Sequence, residues 1–332
     1  MFTYIVRRTL VSIPLLILIS IILYVILSNA PGGGLGPYLQ NPHITPADIA
    51  RLKHNLGLDQ PLPIRYVRWL WTVLHGDFGW STSNSEPVLD AIASRIPPTL
   101  LLMGVSFVVS VAIGLAAGIF SAVRPYSFAD YFITTFAFFG QSMPVFWFAI
   151  MLQLLLAVHG IPLPAGYQIK LPSAGISSDY SNFSDLFTGA NIGDTASHLV
   201  MPVVVLSLLS LSLYSRFMRS SLLEVTKTDY VRTAKAKGLD NRTILFKHEL
   251  KNALIPVVTV LALSLPGVIG GAVVTETIFS WPGAGRMFIN ALQQSDIALM
   301  MGYLLILAFF VVFSNLLADV LYAVLDPRVR YD

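Results

Sequence analysis

The chain has no cysteine, and only 12% of its 332 residues are charged. The first absence removes disulfide staples, thiolate metal sites and cysteine nucleophiles. The second excludes more. A soluble domain carries about 25% charged residues, so a chain with half that share cannot clothe a water-facing surface of this size. Soluble enzymes, disordered tails and nucleic-acid binders are ruled out on that ground. The net charge of +3 is too small to carry meaning by itself. Catalytic signatures are missing too. There is no H-E-x-x-H helix, no G-x-S-x-G elbow and no G-x-x-x-x-G-K-[ST] loop to cradle ATP phosphates. The histidines (His43, His54, His75, His159, His198 and His248) fall in predicted loops or at span ends, so no metal-ligating or catalytic cluster is expected.

What is present is apolar sequence, 55% of the chain, in long uncharged runs. These are Thr9–Ser28, Ile96–Val123, Tyr131–Val158, Leu199–Ser215, Asn252–Thr275 and Ile297–Ala318. About 20 apolar residues are needed to cross the hydrocarbon. Five runs meet that length, and His198 and Arg216 can snorkel to extend the fourth. Backbone polar groups inside lipid must be paired within the segment, which selects helices over open strands. The expected fold is therefore all-α: a polytopic membrane protein with six transmembrane helices. The first run lacks a signal-type cleavage site and is expected to stay as a span. With the N-terminus inside, the inner segments hold Arg7, Arg8, Arg124, the cations between Arg216 and Lys251, Arg328 and Arg330. That is 14 of 21 basic residues, so the positive-inside rule places both termini in the cytoplasm of a cell-membrane protein.

The expected organisation is an inner segment 1–8, a first helix 9–28, and an extracytoplasmic loop 29–95. A five-helix core 96–325 follows, with an inner loop 216–251 and a tail 326–332. The loop 29–95 has helices of its own. Thr45-Pro46-Ala47-Asp48 reads as an N-cap, a first-turn proline and an acid. A helix is expected from there to His54, stopping near Gly57, and a second from Leu62 to His75, ending at Gly76. The loop 159–198 looks irregular, and Trp281-Pro282-Gly283 is a turn signal.

The spans hold almost no ionisable groups, which speaks against a proton-coupled carrier or voltage sensor. Asp319 has two readings, pairing with a neighbouring arginine or a role in transport. Glu276 lies at the outer mouth. Gln141 and Ser142, beside Pro144, are candidate pathway-lining residues together with Glu276, or else buried hydrogen-bonding groups. Gly114-x-x-x-Gly118 and Gly267-x-x-x-Gly271 allow close helix approach, within one subunit or against a second. Pro144, Pro202, Pro256 and Pro266 each remove a backbone donor in or beside a span.

The inner loop is strongly basic, with nine cations against four anions over residues 216–251. Thr228 is a candidate cap for a helix beginning at Asp229, Gly238 a left-handed stop, and Asp240 or Asn241 the cap of a second helix running towards Pro256. Tyr230, Ala234 and Lys237 share a face at i, i+4, i+7, and the small Ala234 and Ala236 would let another surface come close. Two readings stay open on these grounds: docking to a partner protein, or lying on anionic headgroups.

The stretch RTAKAKGL, with Pro256 closing it, resembles the EAA loop of binding-protein-dependent ABC importer permeases, whose pattern is roughly E-A-A-x-x-x-G and later I-x-L-P. Gly238, Ala234 and Pro256 match, while Arg232 and Thr233 stand at the glutamate and first alanine positions. MFTYIVRRTL, LGLDQPLPIRYVRWL, HGDFGWS, RIPPTLLL, HELKNALIPVV, ETIFSWPGAGR and DPRVRYD resemble the dipeptide/oligopeptide/nickel branch along the whole chain. The resemblance implies a type I ABC importer permease fold. It implies as partners a second homologous permease, two ATPase subunits and an extracytoplasmic binding protein. ATP and Mg would be held by the ATPases and no cofactor by this chain. Asp229, Tyr230, Arg232, Thr233, Ala234, Lys235, Ala236, Lys237, Gly238 and Leu239, with Pro256, would form the ATPase-coupling loop. The cargo implied is dipeptides or oligopeptides, with nickel or another small solute as the alternative. A carrier driven by an ion gradient is the rival from another class; it would transport without any ATPase.

Overall fold

The computed structural model describes residues 2–30, 35, 43–162, 164, 168–179, 183, 186, 191–270 and 272–325. The predicted tail 326–332, with Arg328 and Arg330, and Gly271 of the second glycine pair lie outside them. Helices α1 (Phe2–Ser28), α2 (Pro46–Asn55) and α3 (Leu62–Leu74) are followed by a small hairpin of β1 (Trp80–Ser81) and β2 (Glu86–Pro87). Then come α4 (Val88–Val123), α5 (Phe128–Ser142) and α6 (Val145–Gln153). A second hairpin, β3 (Ile161–Pro162) and β4 (Gln168–Ile169), precedes α7 (Ile192–Thr226). The chain ends with α8 (Asp229–Ala236), α9 (Asn241–Thr243), α10 (Leu250–Gly270), α11 (Val273–Ile278), α12 (Ala284–Gln293) and α13 (Ile297–Leu325). Both hairpins are antiparallel, Trp80 opposite Pro87 and Ile161 opposite Ile169. The protein is an all-α polytopic membrane protein.

Among the described residues, stretches of four continuous helices are long and apolar enough to cross a membrane: Val6–Ser28, Val88–Val123, Ile192–Thr226 and Ile297–Val320. α5 and the helical stretch Val145–His159, which begins with α6, reach that length and hydropathy only together, and they are bent by 101° at the break between them. The bend falls where the sequence requires it. Ser142 ends α5, Met143 is extended, and Pro144 caps α6 with no side-chain hydrogen bond. Proline cannot supply the amide that would continue α5. The predicted fifth run, Asn252–Thr275, is not one helix: α10 ends at Gly270, Ala272 leaves helical geometry as the cap of α11, and Val273–Thr275 belong to α11. The 21 residues of α10 make it about 31 Å long at 1.5 Å per residue.

The local helix expectations for the segment after α1 hold among the described residues. Thr45 and Asp48 form a full capping box, and α2 stops before Gly57 at φ +64°. α3 stops before Gly76 at φ +86°. The 159–198 segment departs from its expectation at its far end: α7 begins at Ile192, so His198 is a buried helical residue. Asp194 holds the preceding loop by accepting from the Ser178 amide at 2.6 Å and its hydroxyl at 3.0 Å.

The most extensive helix–helix packing joins α4 to α7. It depends on the first glycine pair. A Cβ at Gly118 would lie 2.5 Å from the Ser215 carbonyl oxygen and 2.6 Å from Met218 Cβ; one at Gly114 would lie 2.9 Å from Tyr214 Cβ. Small side chains thus let two backbones meet without lipid between them. Ser106 and Ser110 face the same seam and donate along their own helix, while Ser207 donates across it to the Ser106 carbonyl at 3.2 Å. Gly267 behaves differently. Among the described residues nothing lies within 4 Å of a Cβ placed there, so none of them packs closely on it.

α7 is also tied to its other neighbours. Arg219 makes a bidentate pair with Asp130 of α5, at 2.9 and 2.7 Å. Ser221 donates to the Ala253 carbonyl of α10 at 2.7 Å, beside a core of Met218, Leu222, Ala253 and Val257. Asp319 takes the first of its two readings, accepting from Arg8 Nε at 2.7 Å.

Gly118→Val is expected to lower the unfolding temperature in detergent by several degrees, since overpacking costs roughly 1–3 kcal/mol. Gly104→Ala, with nothing within 4 Å, should leave it unchanged or slightly raised. Equal melting of both variants would contradict the packing described.

Candidate functional site

α7 has 35 residues, about 52 Å at 1.5 Å per residue, against a hydrocarbon thickness of about 30 Å. It is therefore longer than one crossing needs, and α8 follows directly on its C-terminal end. Thr228 occupies the cap position with extended backbone, but its side chain makes no cap bond; the hydroxyl donates instead to the Val225 carbonyl at 2.6 Å. Asp229 stands in the first turn, where its charge complements the helix dipole. The far end is a complete glycine stop. Gly238, at φ +78°, donates to the Lys235 carbonyl at 3.0 Å, and Leu239 donates to the Ala234 carbonyl at 3.4 Å. Asp240 then caps α9 by accepting from the Thr243 amide at 3.1 Å. The Thr243 donors hold the Asp240 carboxyl below the usual range.

Val231, Ala234 and Ile244 form a small buried core, with Val225 at the end of α7 packed against it. α8 is thus clamped between α7 and the wide helical turn Ile244–Glu249 that leads into α10. This corrects one expectation. Ala234 does not belong to the open face; it is 5% exposed and seals α8 onto its own chain. The open face carries Asp229, Tyr230, Arg232, Thr233, Lys235, Ala236, Lys237, Gly238 and Leu239. Arg232 lies 3.4 Å from Asp229, so the residue at the glutamate position pairs locally, and Thr233 donates to the Asp229 carbonyl at 2.9 Å. Pro256 stands apart, exposed within α10, which runs through it without stopping.

The remaining pathway candidates separate. Gln141 accepts from Ser212 of α7 at 3.0 Å and stays exposed, and exposed Ser142 and Pro144 form the bend between α5 and α6. Glu276 is not pathway-lining in this structure. It is wholly buried at the end of the bundle opposite α8. One carboxylate oxygen accepts from Thr99 Oγ1 at 2.8 Å, the other from the Arg286 amide at 3.0 Å. Thr99 accepts in turn from the Ala284 amide at 2.8 Å, and Trp281 Nε1 donates to the Pro98 carbonyl at 2.8 Å. Gly283 and Gly285 are required here: a Cβ at either would run into the Glu276 carboxylate. The turn at Trp281-Pro282-Gly283 is therefore a buried joint between α4, α11 and α12.

Sequence reasoning missed a second joint. Asp296 is buried and caps α13 by accepting from the Leu299 amide at 3.1 Å. Its other oxygen accepts from Ser81 Oγ at 2.8 Å, the Ser83 amide at 3.0 Å and Ser83 Oγ at 2.8 Å, fixing the β1–β2 turn. The available signal was an aspartate placed one residue before an apolar run.

Two adjoining family models match the chain. Residues 114–331 match the binding-protein-dependent transport system inner membrane component, and residues 1–103 match its N-terminal component. The chain belongs to this permease family. It is 41% identical over 332 residues to the oligopeptide transport system permease protein AppB of Bacillus subtilis (strain 168), covering all of both chains. It is 36% identical over 337 residues to the dipeptide transport system permease protein DppB of Escherichia coli (strain K12), covering 100% of this chain and 99% of that one. The permease is a membrane-embedded transport subunit and not an enzyme. The clamped α8 falls in the matched 114–331 region, and so do Glu276 and its glycines.

Thr99→Val in the permease leaves the Glu276 oxygen and the Ala284 amide unpaired in a buried site, at about 1–3 kcal/mol per lost partner. Thr99→Ser should restore both bonds. Limited proteolysis of the 276–286 segment is expected to accelerate in the valine variant only; equal protection in both would remove the joint.

Proposed function

We propose that this permease imports dipeptides or oligopeptides as half of a membrane pathway, and that α8 is the element through which separate ATPase subunits drive it. The reading rests on one observation above all. A short helix is clamped to the C-terminal end of α7 by Val231, Ala234 and Ile244, with its basic outer face left open. A helix lying loosely on headgroups has no need of that clamp. A lever does, because force applied to α8 must reach α7 and α10 rather than dissipate in a flexible loop.

In this reading ATP and Mg are held by two ATPase chains. One of them receives Tyr230, Leu239 and the flanking Arg232, Lys235 and Lys237. Its closure displaces α8, and the bundle rotates between inward-facing and outward-facing forms as a rigid body. The nucleotide state can do this only through contacts that differ between the two forms. A second, homologous permease completes the pathway, and the open surface at Gly267 on α10 suits close approach of another helix. An extracytoplasmic binding protein delivers cargo at the Glu276 end. Both termini and α8 lie on the cytoplasmic side of the cell membrane, in keeping with the positive-inside rule. The peptide cargo is supported by the names of the relatives, which are oligopeptide and dipeptide permeases.

Gly238 gives a test free of steric ambiguity. Nothing lies within 4 Å of a Cβ there, so any penalty comes from φ +78°. Gly238→Val should insert normally yet lose ATP-driven peptide uptake at least tenfold in vesicles containing the whole importer. Gly238→Asn tolerates the left-handed conformation and should retain most uptake. Full uptake by the valine variant would overturn the lever.

A further inference from the structure

α3 carries three distinct faces. Leu62, Tyr66, Trp69 and Val73 pack towards α1 and the neighbouring core. Arg65, Arg68 and Thr72 form a polar stripe that lines a cavity of about 450 Å³ together with Gly57, Asp77 and Asp296. The third face is apolar and open: Ile64, Val67, Trp71 and Leu74 are between 51% and 72% exposed. At 100° per residue these four follow directly on the packed face, so two thirds of the helix circumference is apolar.

The depth of α3 decides what covers that face. Tyr66 hydroxyl bonds Ser20 Oγ of α1 at 2.8 Å, and Tyr24 packs edge-on against Tyr66 at 5.5 Å. Ser20 precedes the end of the α1 span at Ser28 by eight residues, about 12 Å along the helix. A hydrocarbon layer about 30 Å thick over this span places Ser20 below the interface, and α3 must sink beside α1 to reach it. Ile17, Ile21 and Ile22 of α1 are exposed as well, within the stretch long and apolar enough to cross the membrane.

We infer that α3 is an in-plane interfacial helix of the bilayer, with Ile64, Val67, Trp71 and Leu74 seated among acyl chains and Arg65 and Arg68 turned to the aqueous side. The loop that a topology diagram leaves in water is thereby fixed to the membrane surface. Through Asp77 and the β1–β2 hairpin it holds the rim of the bundle at a set height.

The absence of native cysteine makes the test direct. Single-cysteine variants Ile64→Cys, Val67→Cys and Trp71→Cys, spin-labelled within the intact importer in nanodiscs, are compared with Lys53→Cys on α2 and Ile21→Cys on α1. Partner-chain cysteines are replaced beforehand. Accessibility to oxygen over accessibility to an aqueous nickel chelate should be several-fold higher at 64, 67 and 71 than at 53, matching position 21. A ratio equal to that of position 53 would put α3 in water. Low accessibility to both reagents would mean that a protein surface covers it. Either result overturns the inference.

Discussion

The close approach of α4 and α7 is the constraint on which the rest of the structure depends. Gly114 and Gly118 permit it, and the backbone atoms of Ser215 occupy the space a larger residue would need. Hydrophobicity cannot hold helices together when lipid is as apolar as leucine, so contact geometry must. Once α7 is seated, its remaining partners follow: Asp130 of α5 on Arg219, and Ala253 of α10 on Ser221. The unbroken length of α7 then carries the position of this packed seam out to α8.

The two ends of the bundle are built on different chemistry. At the α8 end the joint is apolar and small, three buried side chains and a glycine stop. At the opposite end the joints are carboxylates. Glu276 and Asp296 are each buried, and each gathers donors from elements far apart in sequence. A buried carboxylate is costly unless its acceptor sites are filled, so losing a donor is penalised more than the bond itself is worth. That makes these joints specific: only one arrangement of α4, α11, α12 and the β1–β2 turn fills them. The apolar joint specifies less by chemistry and more by shape, which suits the lever proposed for α8.

Much of this was legible in the sequence wherever the signal is local. Thr45 and Asp48 announce their capping box; Gly57, Gly76 and Gly238 announce left-handed stops; Pro144 announces the break between α5 and α6. The uncharged runs mark the spans because the bilayer leaves helices no alternative. What stayed hidden is non-local. Ala234 has the same small side chain whether it faces a partner or its own core, and only the position of Ile244, after a wide helical turn, decides. Glu276 reads as a mouth-lining acid until Thr99, 177 residues earlier, is found beside it. Asp194 extends α7 back to Ile192 by capturing Ser178 across a loop that has no periodicity of its own. The sunken position of α3 follows from the Ser20–Tyr66 hydrogen bond, which no pattern within either helix encodes.

The central claim is that the open face of α8 meets an ATPase chain and the clamped face does not. The direct measurement is site-specific photo-cross-linking in the intact importer, with the probe at Ala236 on the open face and at Val231 on the buried one. The account predicts an efficient, nucleotide-sensitive cross-link from position 236 to an ATPase subunit and only intrachain products from position 231. Cross-linking of position 236 to lipid alone, in every nucleotide state, would contradict it.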